Sequence, residues 1–235
     1  MLRQQMKKLS VKNKTNFSTM QKPFNDSTNF TSIEEYLISL NHLAKDCDEN
    51  NDLNLGITYM NEIQDICRSL SQQDKIVLEQ SYVYSLDCLY SFYLKKDLFE
   101  EAIKYLVEIK NFYKNLYLQD NALWANKYIR SLSAMAFVYK RKGFVDKSIV
   151  TLKEEKEILQ LLYEDDEKQW GRSYALALFK LADIYDEQNL LNDAVAFLEP
   201  REKVWQALYA EKKEHDFFAE QSAYIRAKQL LKKGL

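Results

Sequence analysis

Apolar side chains recur along most of the chain at spacings of three and four residues, which is the pattern of a helix with one buried face. Between Tyr174 and Tyr185, for example, Leu178, Leu181 and Ala182 fall on one side of such a helix. Short polar breaks separate these segments, at residues 95–97, 141–143 and 187–189. The pattern predicts a succession of amphipathic helices joined by short turns.

The helical pattern repeats with a period of 46 residues. Trp124 corresponds to Trp170, and one tyrosine position recurs four times, at Tyr36, Tyr82, Tyr128 and Tyr174. Small side chains share another position, where two helices must approach closely, namely Gly56, Ala102, Ser148 and Ala194. A fixed period in this range is typical of stacked repeat proteins.

The period divides the chain into helical hairpins followed by a last helix. Four hairpins are predicted, at about 32–71, 78–117, 122–163 and 168–210. A helix over 214–233 is expected to cover the open end of the last hairpin, since each hairpin has an apolar face that it cannot bury alone. We therefore expect one α-helical domain over 32–235, preceded by a basic tail over 1–31.

Three residues mark local features of the predicted hairpins. Gly143 and Asn189 follow the first helix of their hairpins, where a left-handed residue commonly ends a helix. Pro200 lies inside the predicted second helix of the fourth hairpin. Because proline removes one helix hydrogen bond and clashes with the preceding turn, we expect a kink or restart at 196–200.

Charge is distributed unevenly between the tail and the body of the chain. Residues 1–30 carry six basic residues and one acidic residue, whereas the whole chain has a net charge of −2. The body is therefore acidic, which disfavours nucleic acid as a partner. A polar, basic tail of this composition is predicted to be disordered, and the alternative of a targeting segment stays open.

Composition narrows the class of protein further. With 4 glycines and 2 prolines in 235 residues, the chain lacks the turn residues that a sheet-rich fold needs, so an all-α fold is predicted. The 3 cysteines contain no CxxC pair, which suits a reducing compartment. No apolar run approaches the length of a membrane span, and a cytoplasmic protein is expected.

Little in the sequence points to catalysis or to a bound cofactor. His42 and His215 are the two histidines, and Cys47 lies five residues after His42, a poor spacing for two metal ligands on one helix. No glycine-rich phosphate loop is present. Most of the 16 tyrosines recur with the period and are read as packing residues, whereas Tyr84 does not recur. We expect no catalytic residues, no metal and no cofactor.

The repeated motif resembles that of the tetratricopeptide repeat (TPR) family, in the long-helix form of kinesin light chains and bacterial arrays. The closest copy of the motif is Ser39-Leu40-Asn41-His42-Leu43-Ala44, and looser copies begin at Ser85, Ser131 and Ala177. The resemblance covers residues 32 to 213. It implies a right-handed α-solenoid whose concave groove is lined by the first helix of each hairpin.

The resemblance also implies which side chains line that groove. In the family an asparagine at the position of Asn41 often bonds a peptide backbone. Carried over by position, the expected groove residues are Asn41, Lys45, Tyr84, Asp87, Ser91, Arg130, Ser133, Phe137, Lys140, Phe179 and Asp183.

The predicted function is a non-catalytic scaffold that binds a protein or peptide in this groove. The cations Lys45, Arg130, Lys140 and Arg141 suggest a ligand with acidic and aromatic residues. A homo-oligomeric assembly protein, such as a homodimer with an empty groove, is the alternative. A peptide-sensing regulator of the bacterial signalling type is a third possibility.

Overall fold

The computed structural model describes residues 33–69, 75–209, 229–230 and 233. This part of the chain contains eight α-helices and no strand. They are α1 (Ile33–Glu49), α2 (Leu53–Ser69), α3 (Lys75–Lys95), α4 (Phe99–Gln119), α5 (Asn121–Lys142), α6 (Val145–Asp165), α7 (Glu167–Glu187) and α8 (Leu191–Tyr209). The prediction of an all-α fold of solenoid type is confirmed, and the four helix pairs match the predicted hairpins to within about three residues.

Two predicted segments lie outside the described residues. They are the basic tail over 1–31 and, except for Gln229, Leu230 and Lys233, the capping helix over 214–233. Of these, Gln229 donates a 2.6 Å hydrogen bond to the Asn192 side chain on α8.

The chain forms two compact units, Met1–Ile109 and Lys110–Leu235, and the boundary between them falls inside α4. In unit 1, α1 and α2 bury a continuous apolar core that includes Leu37, Leu40, Met60 and Ile63. In unit 2, the core helices bury residues such as Leu132, Leu159, Leu178 and Leu181. These residues occupy the positions at which the sequence shows helical apolar spacing, so hydrophobic burial accounts for the helical faces.

The position reserved for small side chains is buried in all four hairpins. Its members are Gly56, Ala102, Ser148 and Ala194. A Cβ atom on Gly56 would lie 3.3 Å from the Cys47 side chain on α1 and 3.0 Å from the Phe92 ring on α3, which leaves little room for a larger residue. Ser148 satisfies its hydroxyl by donating a 2.8 Å hydrogen bond to the Ala136 carbonyl. The recurrence therefore reflects close contact between the two helices of each hairpin.

A left-handed residue ends the first helix of every hairpin, again with the 46-residue period. The four residues are Asn51, Asp97, Gly143 and Asn189, with φ between 55° and 81°. In each turn this residue donates its N–H to the carbonyl three residues before it, and the next N–H reaches the carbonyl five residues back. This pair of bonds is the Schellman motif. The expectation for Gly143 and Asn189 is confirmed, and Asn51 and Asp97 extend it to the hairpins of unit 1.

Aspartate residues form the junctions at both ends of hairpin three. Asp120 accepts a 3.0 Å hydrogen bond from the Leu123 N–H, and Asp166 accepts a 2.9 Å bond from the Gln169 N–H. Each carboxylate thus caps the helix that follows it. The backbone N–H of Asp166 also donates to Leu162, the last turn of the preceding helix. One residue therefore ends one helix and begins the next.

The recurring tyrosines lie in the helix–helix seams, as predicted. Tyr128 and Tyr174 are buried. Each packs on a tyrosine eleven residues earlier, with ring centroids 5.4 Å apart for Tyr117–Tyr128 and 5.3 Å for Tyr163–Tyr174. Ring packing at these distances adds stability beyond the burial of apolar area.

A hydrogen bond from this tyrosine to a glutamate joins the two helices of a hairpin. Each bond spans 26 residues, with distances of 2.5 Å for Tyr36–Glu62, 2.9 Å for Tyr82–Glu108 and 2.5 Å for Tyr128–Glu154. In the fourth hairpin the partner of Tyr174 would be residue 200, which is Pro200. Hairpin four therefore lacks the interaction that the first three share.

Glu154 is the most heavily bonded of these glutamates. Besides the Tyr128 hydroxyl, it accepts bonds from Lys110 at 3.0 Å and Lys114 at 3.2 Å. Burial alone would raise the pKa of Glu154, but the hydrogen bonds from Tyr128, Lys110 and Lys114 outweigh it and lower that pKa. The carboxylate therefore ties α4, α5 and α6 together within unit 2.

Pro200 does not restart its helix. α8 runs from Leu191 to Tyr209 with Pro200 inside it, so of the two expected outcomes at 196–200, a kink or a restart, the restart is wrong. The ring is exposed, whereas Leu198 and Val204 on either side of it are buried. Their packing holds the backbone helical despite the missing N–H group.

The left-handed turn of hairpin three can be tested at Gly143. A Cβ atom there would meet no atom within 4 Å, so Gly143→Ala probes the φ of 81° alone. We expect Gly143→Ala to lower the free energy of unfolding by about 1 kcal/mol. Gly143→Asn should cost clearly less, because asparagine tolerates this conformation. Urea denaturation of both variants measures the difference, and equal losses would contradict the assignment.

The Glu154 network makes part of the stability of unit 2 dependent on pH. We expect Glu154→Gln to lower the free energy of unfolding by about 1–3 kcal/mol at pH 7. Because the folded-state pKa of Glu154 is lowered, its contribution is present above the usual value of 4.5 and is lost as pH falls through the folded pKa. Urea denaturation between pH 3 and pH 7 should show the two proteins converging at low pH.

The exposed Glu157 on the same helix provides the control for this experiment. Glu157→Gln should leave stability nearly unchanged over the same pH range. A destabilisation by Glu154→Gln that persisted at pH 3 would contradict the electrostatic explanation.

Hairpin four should gain stability from replacement of its proline. We expect Pro200→Ala to raise the free energy of unfolding by up to about 3 kcal/mol, since an N–H donor returns to the helix interior. Pro200→Glu should add about 1 kcal/mol more, by restoring the bond to Tyr174. Thermal denaturation monitored by circular dichroism compares the three proteins. If Pro200→Glu is no more stable than Pro200→Ala, the proposed tyrosine–glutamate bond does not form.

Candidate functional site

The eleven predicted groove residues are divided between the two units. Five of them lie on α1 and α3 in unit 1, and six lie on α5 and α7 in unit 2. We call the outward side of α1 and α3 the unit 1 face, and that of α5 and α7 the unit 2 face. The two faces are described separately.

On the unit 1 face, the residues from α1 differ strongly in exposure. Asn41 is half-buried, and its side-chain oxygen is buried without a hydrogen bond from the described residues. Lys45 is exposed and lies 3.7 Å from Glu49, one helical turn away. Because both side chains of this pair are exposed, the Lys45 ammonium group stays accessible. An ion pair of this kind contributes little to stability.

The α3 residues of the unit 1 face surround Tyr84, whose side chain is 43% exposed. Burial of the phenol, its hydrogen bond to Cys88 and the nearby carboxylates Asp48 and Asp87 raise the pKa of Tyr84 to about 12. The hydroxyl is therefore neutral at physiological pH. The remaining two predicted residues, Asp87 and Ser91, are half-buried.

On the unit 2 face, Phe137 and Arg130 are exposed one above the other on α5. Phe137 presents 53% of its surface, and the Arg141 guanidinium lies 6.0 Å from the centre of its ring. An aromatic ring with this much exposure can contact a ligand without rearrangement of the core.

Lys140 lies on the same face, but its charge is already matched. Its ammonium group contacts Asp183 at 3.0 Å and Glu187 at 2.9 Å, both on α7. Burial lowers the pKa of Lys140, and the hydrogen bonds to Glu187 and Asp183 more than offset this effect, so the pKa is raised. Two of the predicted groove residues, Lys140 and Asp183, are thus partners of each other.

Ser133, another predicted residue, belongs to a polar cluster formed by three helices. The Ser133 hydroxyl donates a 2.7 Å hydrogen bond to Glu155 on α6. Lys180 on α7 donates to both groups, at 2.9 Å to Ser133 and 2.8 Å to Glu155. Glu155 is 2% exposed, so the cluster has a buried carboxylate at its base.

Phe179 does not serve as an exposed anchor. Its ring packs against the apolar cluster of Ala182, Leu191, Ala194 and Leu198. The Arg201 guanidinium lies 5.1 Å from the ring centre. Contacts with α8 therefore turn this side chain toward the core, although its position in the repeat is that of a groove residue.

The structure also reveals exposed apolar residues that the sequence reading did not select. Ile38 is 48% exposed on α1, and Leu176 is 51% exposed on α7. They lie 46 residues before Tyr84 and 46 residues after Arg130. Applying the 46-residue period to the position of Tyr84 would have identified both residues. Lys180 was missed as well, because its position is held by His42, Cys88 and Ala134 in the other hairpins.

The described residues include no group of three or more histidine, cysteine or acidic side chains arranged to hold a metal ion. In the same part of the chain, no helix combines the length and apolar content needed to cross a bilayer. The polar groups of each face can form hydrogen bonds and ion pairs, and the exposed apolar residues can bury surface, namely Ile38 and Tyr84 in unit 1 and Phe137 and Leu176 in unit 2.

Comparisons with known proteins are informative at the level of the fold. No protein-family model matches the chain, and no curated protein matches it in sequence. Among solved structures, one similar protein comes from Podosopora anserina and is described as a kinesin light chain with nearly identical TPR-like repeats. Its sequence is 17% identical to this chain, and the TM-score is 0.51. The match covers 85% of this chain and 99% of that one. A variant of the same protein gives the same values.

A second similar structure is BtubC (BKLC) from P. vanneervenii, which is 13% identical with a TM-score of 0.54. The match covers 83% of this chain and 82% of that protein. Together with the helix pairs and their 46-residue period, these similarities show that the chain has the fold of TPR-like repeats.

Proposed function

We propose that the protein is a non-catalytic scaffold that binds a peptide or an extended segment of a partner protein along the first helices of its hairpins. The observation that supports this proposal is the set of large apolar side chains left exposed on otherwise polar faces. Ile38 and Tyr84 lie on the unit 1 face, and Phe137 and Leu176 lie on the unit 2 face. Exposed apolar residues that share one face are typical of interaction surfaces, and exposed aromatic side chains are common binding anchors.

The ligand proposed here has bulky apolar or aromatic side chains with acidic residues beside them. Phe137 and Leu176 would contact the apolar side chains, and the exposed Arg130 would pair with a carboxylate. Lys140 contributes less positive charge than its sequence position suggests, because Asp183 and Glu187 already surround it. The acidic preference therefore depends mainly on Arg130 in unit 2 and on Lys45 in unit 1.

Self-association is a second candidate, supported by a different group of exposed residues. Leu118 and Leu123 lie on either side of the junction at Asp120, and they are the most exposed and the third most exposed of the large apolar residues described. Leu161, near the end of α6, is also exposed. These residues lie at the ends of helices in unit 2, so they could form an interface between two copies of the chain without using the first-helix faces.

A random peptide library displayed on phage tests the peptide-binding proposal directly. Peptides that are selected on the wild-type protein should bind Phe137→Ala and Leu176→Ser at least ten times more weakly, because each variant removes an exposed anchor. Fluorescence anisotropy with labelled peptides measures these affinities. Arg130→Ala should weaken acidic peptides more than neutral ones.

Val150 provides the matched control, since it is also a large, exposed apolar residue of unit 2 but lies on the second helix α6. Val150→Ser should bind the selected peptides like the wild type. Equal affinity of Phe137→Ala, Leu176→Ser and wild type would contradict the proposed site. A rise in mass with concentration in light scattering, abolished by Leu118→Glu, would favour self-association instead.

A further inference from the structure

Glu155 occupies a repeat position that is apolar in unit 1 and charged in unit 2, where the equivalent residue 46 positions later is the buried Arg201. The equivalent residues 46 and 92 positions earlier are Ile109 and Ile63, which are both buried apolar side chains. Burial of a carboxylate costs several kcal/mol unless strong partners compensate for it. Since isoleucine packs at this position in unit 1, helix packing alone does not require a glutamate here.

The partners of Glu155 show what its charge does. One carboxylate oxygen accepts hydrogen bonds from both Ser133 and Lys180, while Ser133 also accepts a bond from Lys180. The three groups come from α6, α5 and α7, and every bond is between 2.7 and 2.9 Å. The ammonium group is thereby held at a fixed place, in contrast to an exposed lysine that samples many rotamers.

Lys180 has one N–H donor left over in this arrangement. An ammonium group carries three N–H donors, and Ser133 and Glu155 take two of them. Lys180 makes no further hydrogen bond with the described residues, and its side chain is 30% exposed. Leu176 and Asp183 lie one turn before and one turn after it on α7, so the donor belongs to the unit 2 face.

The surrounding charges favour a neutral acceptor over a carboxylate. The positive charge of Lys180 is already paired with the Glu155 carboxylate at 2.8 Å. A ligand carboxylate brought to the third donor of Lys180 would be repelled by Glu155, whereas Arg130 remains the partner for acidic side chains of the ligand. A peptide carbonyl oxygen carries no net charge and accepts strong hydrogen bonds from an ammonium group.

We propose that Lys180 binds a main-chain carbonyl oxygen of the ligand, and that the buried Glu155 and Ser133 act as positioning residues for its ammonium group. This inference rests on the proposed function, and it adds a polar contact between the apolar anchors Phe137 and Leu176. The contact would fix the register of the bound chain without selecting a particular ligand side chain, because every residue of a peptide has a carbonyl group.

The test uses peptides selected from the phage library on the wild-type protein. We expect Lys180→Met, which keeps the length of the side chain, to weaken binding about tenfold, as for the loss of one charge-assisted hydrogen bond. Glu155→Gln should weaken binding as well, although Glu155 is too deeply buried to touch the ligand. Circular dichroism confirms that each variant is folded at the assay temperature.

Ester substitution in the peptide identifies the acceptor. An ester carbonyl is a weaker acceptor than an amide carbonyl, so at one position the ester should weaken binding to the wild type several-fold but leave binding to Lys180→Met unchanged. The ester and Lys180→Met would then be coupled, which means that their effects on binding do not add. A purely structural role of Lys180 would not produce this result. If replacement of an acidic side chain by its amide shows that coupling instead, the acceptor is a carboxylate and the inference is wrong.

The remaining outcomes separate this inference from the proposed function. If Phe137→Ala loses binding while Lys180→Met binds like the wild type, the peptide-binding face stands and Lys180 has no role in it. If Phe137→Ala and Leu176→Ser select and bind the same peptides as the wild type, the proposed function fails and the inference fails with it. The same conclusion holds if the wild-type protein selects no peptide.

Discussion

The architecture depends on the spacing of four left-handed turn residues. Asn51, Asp97, Gly143 and Asn189 each end a helix at the same point of a 46-residue unit. Because an α-helix turns by 100° per residue, a turn displaced by one residue would rotate the whole apolar face of the helix away from its neighbour. The constant spacing of these turns therefore keeps the other repeated features at the same positions of each 46-residue unit. These features are the small residues between paired helices, the tyrosines of the seams and the outward residues of the first helices.

The helices could be predicted from the sequence because the residues that are buried between helices are also the residues that recur with the period. The tyrosines of the seams and the small residues between paired helices recur for packing reasons, so their repetition located the hairpins to within about three residues. Asn51 and Asp97 were not predicted to be left-handed, because asparagine and aspartate are also common in ordinary polar turns. Only the shared period, taken together with Gly143 and Asn189, identifies them as left-handed.

The candidate site was harder to predict, since its contacts are made between side chains that are far apart in sequence. Phe179 occupies a groove position, yet the packing of α8 and the neighbouring Arg201 turn it inward. Lys140 was expected to add positive charge to the groove, but it pairs with two carboxylates that lie more than 40 residues away in the sequence. Pro200 was expected to kink or restart its helix, and α8 continues through it without a restart, with Leu198 and Val204 buried on either side. In each case tertiary contacts changed the outcome that the local sequence pattern predicted.

The polar cluster around Glu155 also limits how this array of repeats can vary. Hairpin three supplies Ser133 and the buried Glu155, whereas the neutralising Lys180 comes from hairpin four. A duplicated copy of hairpin three placed before itself would put Ala134 where Lys180 now stands, and its carboxylate would be left in the core without a cation. The two hairpins must therefore be inherited as an ordered pair. An insertion between these two hairpins would leave a buried carboxylate without its cation.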